Sequence, residues 1–118
     1  LHLLKQSDSG EWQNEVVPFP ANTGTAKSVR AGDINLDEQL DLVFSCEHAD
    51  SSKSGVMWLQ NIDGSWLARD ISGPEGIKFD LVQLLDIDGD GDLDVLTCEE
   101  RWQNRGLGLI WYENPARP

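Results

Sequence analysis

Asp86-Ile87-Asp88-Gly89-Asp90-Gly91-Asp92-Leu93-Asp94 decides the reading of this chain. Every second position carries a carboxylate: Asp86, Asp88, Asp90, Asp92 and Asp94. Charges crowded this closely repel one another unless a cation neutralises them. Asp86, Asp88, Asp90 and Asp94 stand at the first, third, fifth and ninth positions, where side-chain oxygens can point inward. Asp92, at the seventh, can offer its backbone carbonyl. An all-oxygen donor set suits Ca²⁺, which takes six to eight ligands, better than Zn²⁺ or Cu²⁺. Gly91 permits the left-handed backbone that a tight wrap requires. An EF-hand closes with a bidentate Glu at position twelve and sits between helices. Here position twelve is Thr97, and the flanks are Leu81-Val82-Gln83-Leu84-Leu85 and Leu93-Asp94-Val95-Leu96-Thr97. Both flanks are short, apolar and β-prone, so the loop joins two strands. The plainer alternative is a solvated acidic hairpin, for which this alternate-residue spacing has no use.

The loop is repeated. Moved back by 53 residues it falls on Asp33-Ile34-Asn35-Leu36-Asp37-Glu38-Gln39-Leu40-Asp41. Asp33, Asn35, Asp37 and Asp41 take the four side-chain positions and Gln39 the carbonyl one. The same shift pairs Val29 with Val82, Val43 with Leu96, Gly55 with Gly108, Trp58 with Trp111 and Asn61 with Asn114. A second match, offset by 54, sets Leu4 to Trp12 against Trp58 to Trp66 and Val17 against Ile71. One period holds four strand-like runs, at 27–33, 41–47, 55–60 and 65–71. A turn at Asn61-Ile62-Asp63-Gly64 lies between the last two, and Asp-Gly between apolar runs is a strong hairpin signal. Sustained helical periodicity with caps is missing. Four antiparallel strands per period of 40–55 residues is the pattern of a β-propeller blade.

These residues resemble the FG-GAP or VCBS repeat family, through GDINLDEQLDLVFS, LLDIDGDGDLDVLTCEE, VMWLQNIDGSW and LGLIWYENP. The resemblance covers nearly the whole chain. It implies an all-β fold of integrin-like propeller blades with a Ca²⁺ loop between the first two strands of each blade. The implied ligands are Asp86, Asp88, Asp90, Asp94 and the Asp92 carbonyl. The first loop departs from the pattern: Asn35 removes a charge, and Glu38 stands where Gly91 supplies its permissive backbone. A Glu held at positive φ costs on the order of 1 kcal/mol. Asp33, Asn35, Asp37, Gln39 and Asp41 therefore make either a weaker site or an empty one.

On this reading residues 1–17 hold the third and fourth strands of one blade, 27–71 a complete blade and 79–114 three strands of the next. Propellers close with about four to eight blades, so two blades leave the ring open. Either the chain is then a piece of a longer propeller or it self-associates; its start at Leu1 rather than Met is separately compatible with removal of a leader or an upstream domain. In the second case the amino-terminal strand of one copy completes the last blade of its neighbour, and three or four copies close a ring. The expectation favours self-association.

A formal charge of −12 disfavours nucleic acid and anionic membrane surfaces as partners, and no apolar run spans a bilayer. Ca²⁺ loops of ordinary affinity fill at millimolar calcium, which points to an extracellular or periplasmic setting. Cys46 and Cys98 fall on opposite faces of aligned strands, so two buried free thiols are expected rather than a bridge.

Trp12, Trp66, Trp58 and Trp111 recur with the repeat and read as packing residues, sugar stacking being the sharper alternative. Trp102 breaks the repeat within a polar loop, where it either caps an edge or lines a groove for a glycan or protein ligand. His2 and His48 lack partners at catalytic spacing. Glu47, Glu99 and Glu100 are carboxylates that acid–base chemistry would need, but no nucleophile elbow, phosphate loop or zinc spacing accompanies them. A calcium-stabilised scaffold or recognition module is the favoured reading. A carbohydrate-binding propeller and the accessory domain of a secreted enzyme are the alternatives.

Overall fold

The computed structural model describes residues 1–100 and 106–116. Among the described residues the chain is all-β. Nine strands run in order as β1 (His2–Gln6), β2 (Trp12–Val16), β3 (Thr25–Gly32), β4 (Asp41–Glu47), β5 (Val56–Ile62), β6 (Ser65–Asp70), β7 (Phe79–Leu85), β8 (Asp94–Glu99) and β9 (Gly108–Tyr112). They form three antiparallel sheets with orders β1-β2, β3-β4-β5-β6 and β7-β8-β9. No helix among the described residues is long and apolar enough to cross a membrane.

The 53-residue shift in sequence is reproduced in strand register. Arg30 faces Val43 and Gln83 faces Leu96; Val43 faces Trp58 and Leu96 faces Trp111. Even the irregularity is copied, since the register slips between Ala26 and Ser28 in β3 and between Phe79 and Leu81 in β7. A bulge of this kind increases local twist, so both sheets turn at the same point. The Asp63-Gly64 turn has positive φ at both residues (50° and 86°), the geometry that matches the right-handed twist of a two-residue hairpin.

The amino-terminal hairpin departs from the sequence alignment by one residue. Its strands pair Gln6 with Trp12 across the five residues Ser7 to Glu11, whereas β5 and β6 pair Ile62 with Ser65. Val17 N donates to Leu1 O, as Ile71 N does to Val56 O. Leu1 thus corresponds to Val56 and Leu3, not Leu4, to Trp58. The longer loop absorbs the extra residue.

The middle sheet is packed on both faces. One face, here the forward face, sends Val43, Val56 and Trp58 against Phe79, Val82, Val95, Ile110 and Tyr112 of the third sheet. The opposite, or back, face sends Phe44, Cys46, Met57 and Leu59 against Leu1, Leu3 and Val17. Strand alternation explains this division, since neighbours in β4 and β5 point to opposite sides. Gly55 is required here because a Cβ would enter the Phe79 ring. The three sheets stack front to back, and the particle is long, 52 × 31 × 21 Å.

Both cysteines are free. Cys46 is buried against the first sheet, but Cys98 is only partly covered. The expectation of two buried thiols is corrected at Cys98, which lies on the forward face of the third sheet. Burial pushes the Cys46 thiol up to about 11, against a smaller downward pull from hydrogen bonds with Gly24 and Thr23. The protonated form is the one the fold favours, so its stabilisation is complete below the ordinary thiol value of about 8.5 and is lost as pH rises towards about 11. A thiol reagent at pH 7–8 is expected to label Cys98 in the native protein and Cys46 only on unfolding. The midpoint of denaturation should fall above about pH 9, a fall that Cys46→Ala reduces and that raised Tyr112 and Lys78 pKa values carry further at higher pH.

Candidate metal centre

The two acidic loops leave the same end of their sheets, one joining β3 to β4 and the other β7 to β8. In the second loop Asp86, Asp88 and Asp90 bring one carboxylate oxygen each to within 4.8 Å of one another. Two oxygens on opposite sides of one Ca²⁺, each at about 2.4 Å, are separated by about 4.8 Å. Unneutralised, charges about 4 Å apart repel by about 1 kcal/mol in water and about 4 kcal/mol at an effective dielectric of about 20. Backbone amides hold the carboxylates in place. Gly89 N and Gly91 N donate to the two oxygens of Asp86 at 2.8 and 3.2 Å. Asp90 N donates to Asp88 at 3.2 Å and Asp92 N to Asp90 at 3.0 Å. Gly89 and Gly91 have φ of 83° and 92°, which lets the chain turn its amides inward at little cost.

Asp94, the expected ninth-position ligand, has a further structural duty that the loop pattern alone does not reveal. It is buried, its Oδ2 accepting from Ile87 N at 3.1 Å and its Oδ1 from Asn114 N at 2.8 Å. Asp41 repeats this, bonding Ile34 N at 3.3 Å and Asn61 N at 2.8 Å. In each unit the buried carboxylate ties the start of its loop to the end of the neighbouring strand, Asn61 in β5 or Asn114 just beyond β9. The matching Asn closes the clamp, Asn61 Nδ2 bonding Leu40 O and Asn114 Nδ2 bonding Leu93 O. A carboxylate offers about four acceptor sites, so two amides leave capacity for a cation. The Asp92 side chain is buried as well, and it is the residue's main chain that the sequence assigns to the ion.

The first loop is wound the same way around Asp33, which accepts from Asp37 N at 3.0 Å and Glu38 N at 2.8 Å. Gln39 N bonds Asp37 at 2.9 Å, as Asp92 N bonds Asp90. Two features set it apart. Leu36 and Glu38 hold φ of 61° and 67° where the second loop has glycines. Asn35 Nδ2 also donates to Asp37 at 2.8 Å, an attraction where the second loop places two like charges. Asn35 Oδ1 is shielded from water and accepts no hydrogen bond from the protein. A carbonyl-type oxygen in that state is a group a hard cation would satisfy. The side chain of Gln39 is engaged elsewhere, with Oε1 accepting from Asp63 N at 3.1 Å.

Glu99 is buried at the far end of the third sheet, where Ile77 N, Lys78 N and Leu107 N bond its carboxylate at 2.9, 3.3 and 2.7 Å. Glu47 pairs with Lys27 and Glu100 with Lys78. Glu100 and then Asp80 raise the Lys78 pKa. His2 meets Asn14 on the surface, and His48 is exposed. A cavity of about 370 Å³ adjoins Glu99, lined by Asp50, Glu75 and Ile77, at the opposite strand ends from the acidic loops. Trp58 and Trp66 pack against the cores, whereas Trp12 and Trp111 are exposed. Trp102 lies outside the described residues. No family model matches the chain and no curated protein does.

Two substitutions separate clamp from ligand. Asp94→Asn places an amide donor against backbone N–H groups and is expected to cost about 2–3 kcal/mol in chelator. Asp88→Ala, on an exposed side chain, should cost less than about 0.5 kcal/mol under the same conditions. Glu38→Gly relieves about 1–2 kcal/mol of left-handed strain against about 0.5–1 kcal/mol of added chain entropy. Urea melts should therefore show a gain of about 0.5–1 kcal/mol.

Proposed function

We propose that this chain is a calcium-binding module of β-propeller type, in which Ca²⁺ pins the turn between the first two strands of each repeat. The convergence of Asp86, Asp88 and Asp90 on one point carries the reading. All the donors are oxygens, the choice for a hard cation. The 53-residue period, with its copied register and paired Asp clamps, supports the likeness to FG-GAP or VCBS blades that the sequence suggests. Each sheet would then be a blade or part of one, and the module a scaffold or recognition surface working where calcium is millimolar, outside the cell or in the periplasm. The second loop is the tighter site. The first carries less charge and two strained residues, and fills at higher calcium.

Bound Ca²⁺ stabilises the fold by RT ln(1 + [Ca²⁺]/Kd), about 2.7 kcal/mol at a hundredfold excess, or about 10 °C in Tm for a chain of this size. Calorimetric melts in calcium and in chelator should differ by that amount. Asp88→Ala or Asp90→Ala should remove most of the difference while leaving the chelator melt unchanged. Coincident melts with and without calcium, in parallel with no heat of binding on titration, would overturn the proposal.

A further inference from the structure

The two packed junctions inside the chain are of one kind: the forward face of one sheet lies on the back face of the next. Leu1, Leu3 and Val17 of the first sheet correspond to Val56, Trp58 and Ile71 of the second, and both sets are covered. The third sheet has a forward face too, and among the described residues no sheet packs on it. Leu109, the counterpart of buried Val56, is 83% exposed, and Ile87, the counterpart of Ile34, is 40% exposed against 6%. Trp111, the counterpart of Trp58, is 44% exposed, and Leu81 and Leu85 of β7 share its face, two strands away, at 44% and 47%. At the other end, the back face of the first sheet is also bare. Leu4 is 58% exposed where its counterpart Leu59 is 1%, and Trp12 and Val16 are 66% and 63% exposed.

We infer that a second copy of this chain docks head to tail on the first, its Leu4–Trp12–Val16 face covering the Leu109–Trp111 face. One molecule therefore carries both halves of a junction it already makes twice internally. Apolar exposure on this scale marks an interaction surface, and each half has its chemical partner at the opposite end of the stack. Strand β1 pairs with β2 along one edge, and the contact inferred here is between faces. The contact is heterologous: it closes into a ring if the rotation per copy allows, and otherwise grows as a filament. The net charge of −12 opposes association at low ionic strength, and salt or bound Ca²⁺ relieves this. The inference deepens the propeller reading by naming the surfaces through which copies would join, and it rests on the repeat rather than on the ion.

Sedimentation equilibrium in calcium at physiological salt tests it. The native chain is expected to exceed its 13.1 kDa monomer mass, increasingly with concentration. Leu109→Glu and Leu4→Glu each spoil one face only, so each variant alone should be monomeric. Mixed, they retain one good face apiece and should give a species of twice the monomer mass and none larger. Circular dichroism checks that strands are kept; Trp111→Ser and Trp12→Ser replace any variant that unfolds. A native chain monomeric at every concentration overturns the inference, and the bare faces then belong to a different partner. Single variants that still associate, or a mixture that stays monomeric, overturn it equally. The mass and the calcium-dependent melt are separate readouts, so either reading can fail while the other stands.

Discussion

Two buried carboxylates, Asp41 and Asp94, fix how each acidic loop meets its sheet. A carboxylate removed from water is costly unless its oxygens are bonded, and each here takes one amide from its own loop and one from Asn61 in β5 or from Asn114 just beyond β9. This bond pair sets where the loop begins and holds β5 or β9 beside it. The loop is then short enough that its remaining acidic side chains have little choice but to converge. Convergence without a counter-ion leaves like charges together in the second loop, and this is the physical reason for assigning the loop a cation.

Much of this was legible from residue spacing. The alternate aspartates, the 53-residue shift and the Asp-Gly turn place the strands and both loops, and Glu38 shows its left-handed backbone at the position where the second loop has Gly91. The clamp role of Asp94 was not legible, because its second partner, Asn114 N, lies twenty residues away and becomes a neighbour only when β8 and β9 pair. The one-residue displacement of the first hairpin was hidden for a related reason. Matching Trp12 to Trp66 aligns one strand, and only the cross-strand register shows that the other has slipped. Nor does recurrence of tryptophan fix burial. Trp58 and Trp111 occupy equivalent positions, yet a third sheet packs on the first of them, while among the described residues no further sheet packs on the second, which is 44% exposed.

Stacking and the proposed ion binding place separate demands on the same unit. Packing asks for a sheet apolar on both faces, as β4 and β5 supply with Val43 and Phe44, Val56 and Met57. The ion proposed for the acidic loops asks for polar, exposed loops at the strand ends. The bulge near Ala26 and Phe79 and the clamp near Asp41 and Asp94 let one period satisfy both, because they fix twist and loop entry without using the packed faces. The unit can therefore be repeated end on end.

If a clamped acidic loop gathers its oxygens around one divalent ion, the loop amides respond to calcium in a set order, which amide-resolved NMR follows during a titration. The amides of Gly89, Gly91 and Asp92 are expected to shift first and saturate together, followed at higher calcium by those of Asp37, Glu38 and Gln39, with the core strands unchanged. Loop amides that stay still while calcium is raised to millimolar levels, or that move only with bulk ionic strength, would contradict it.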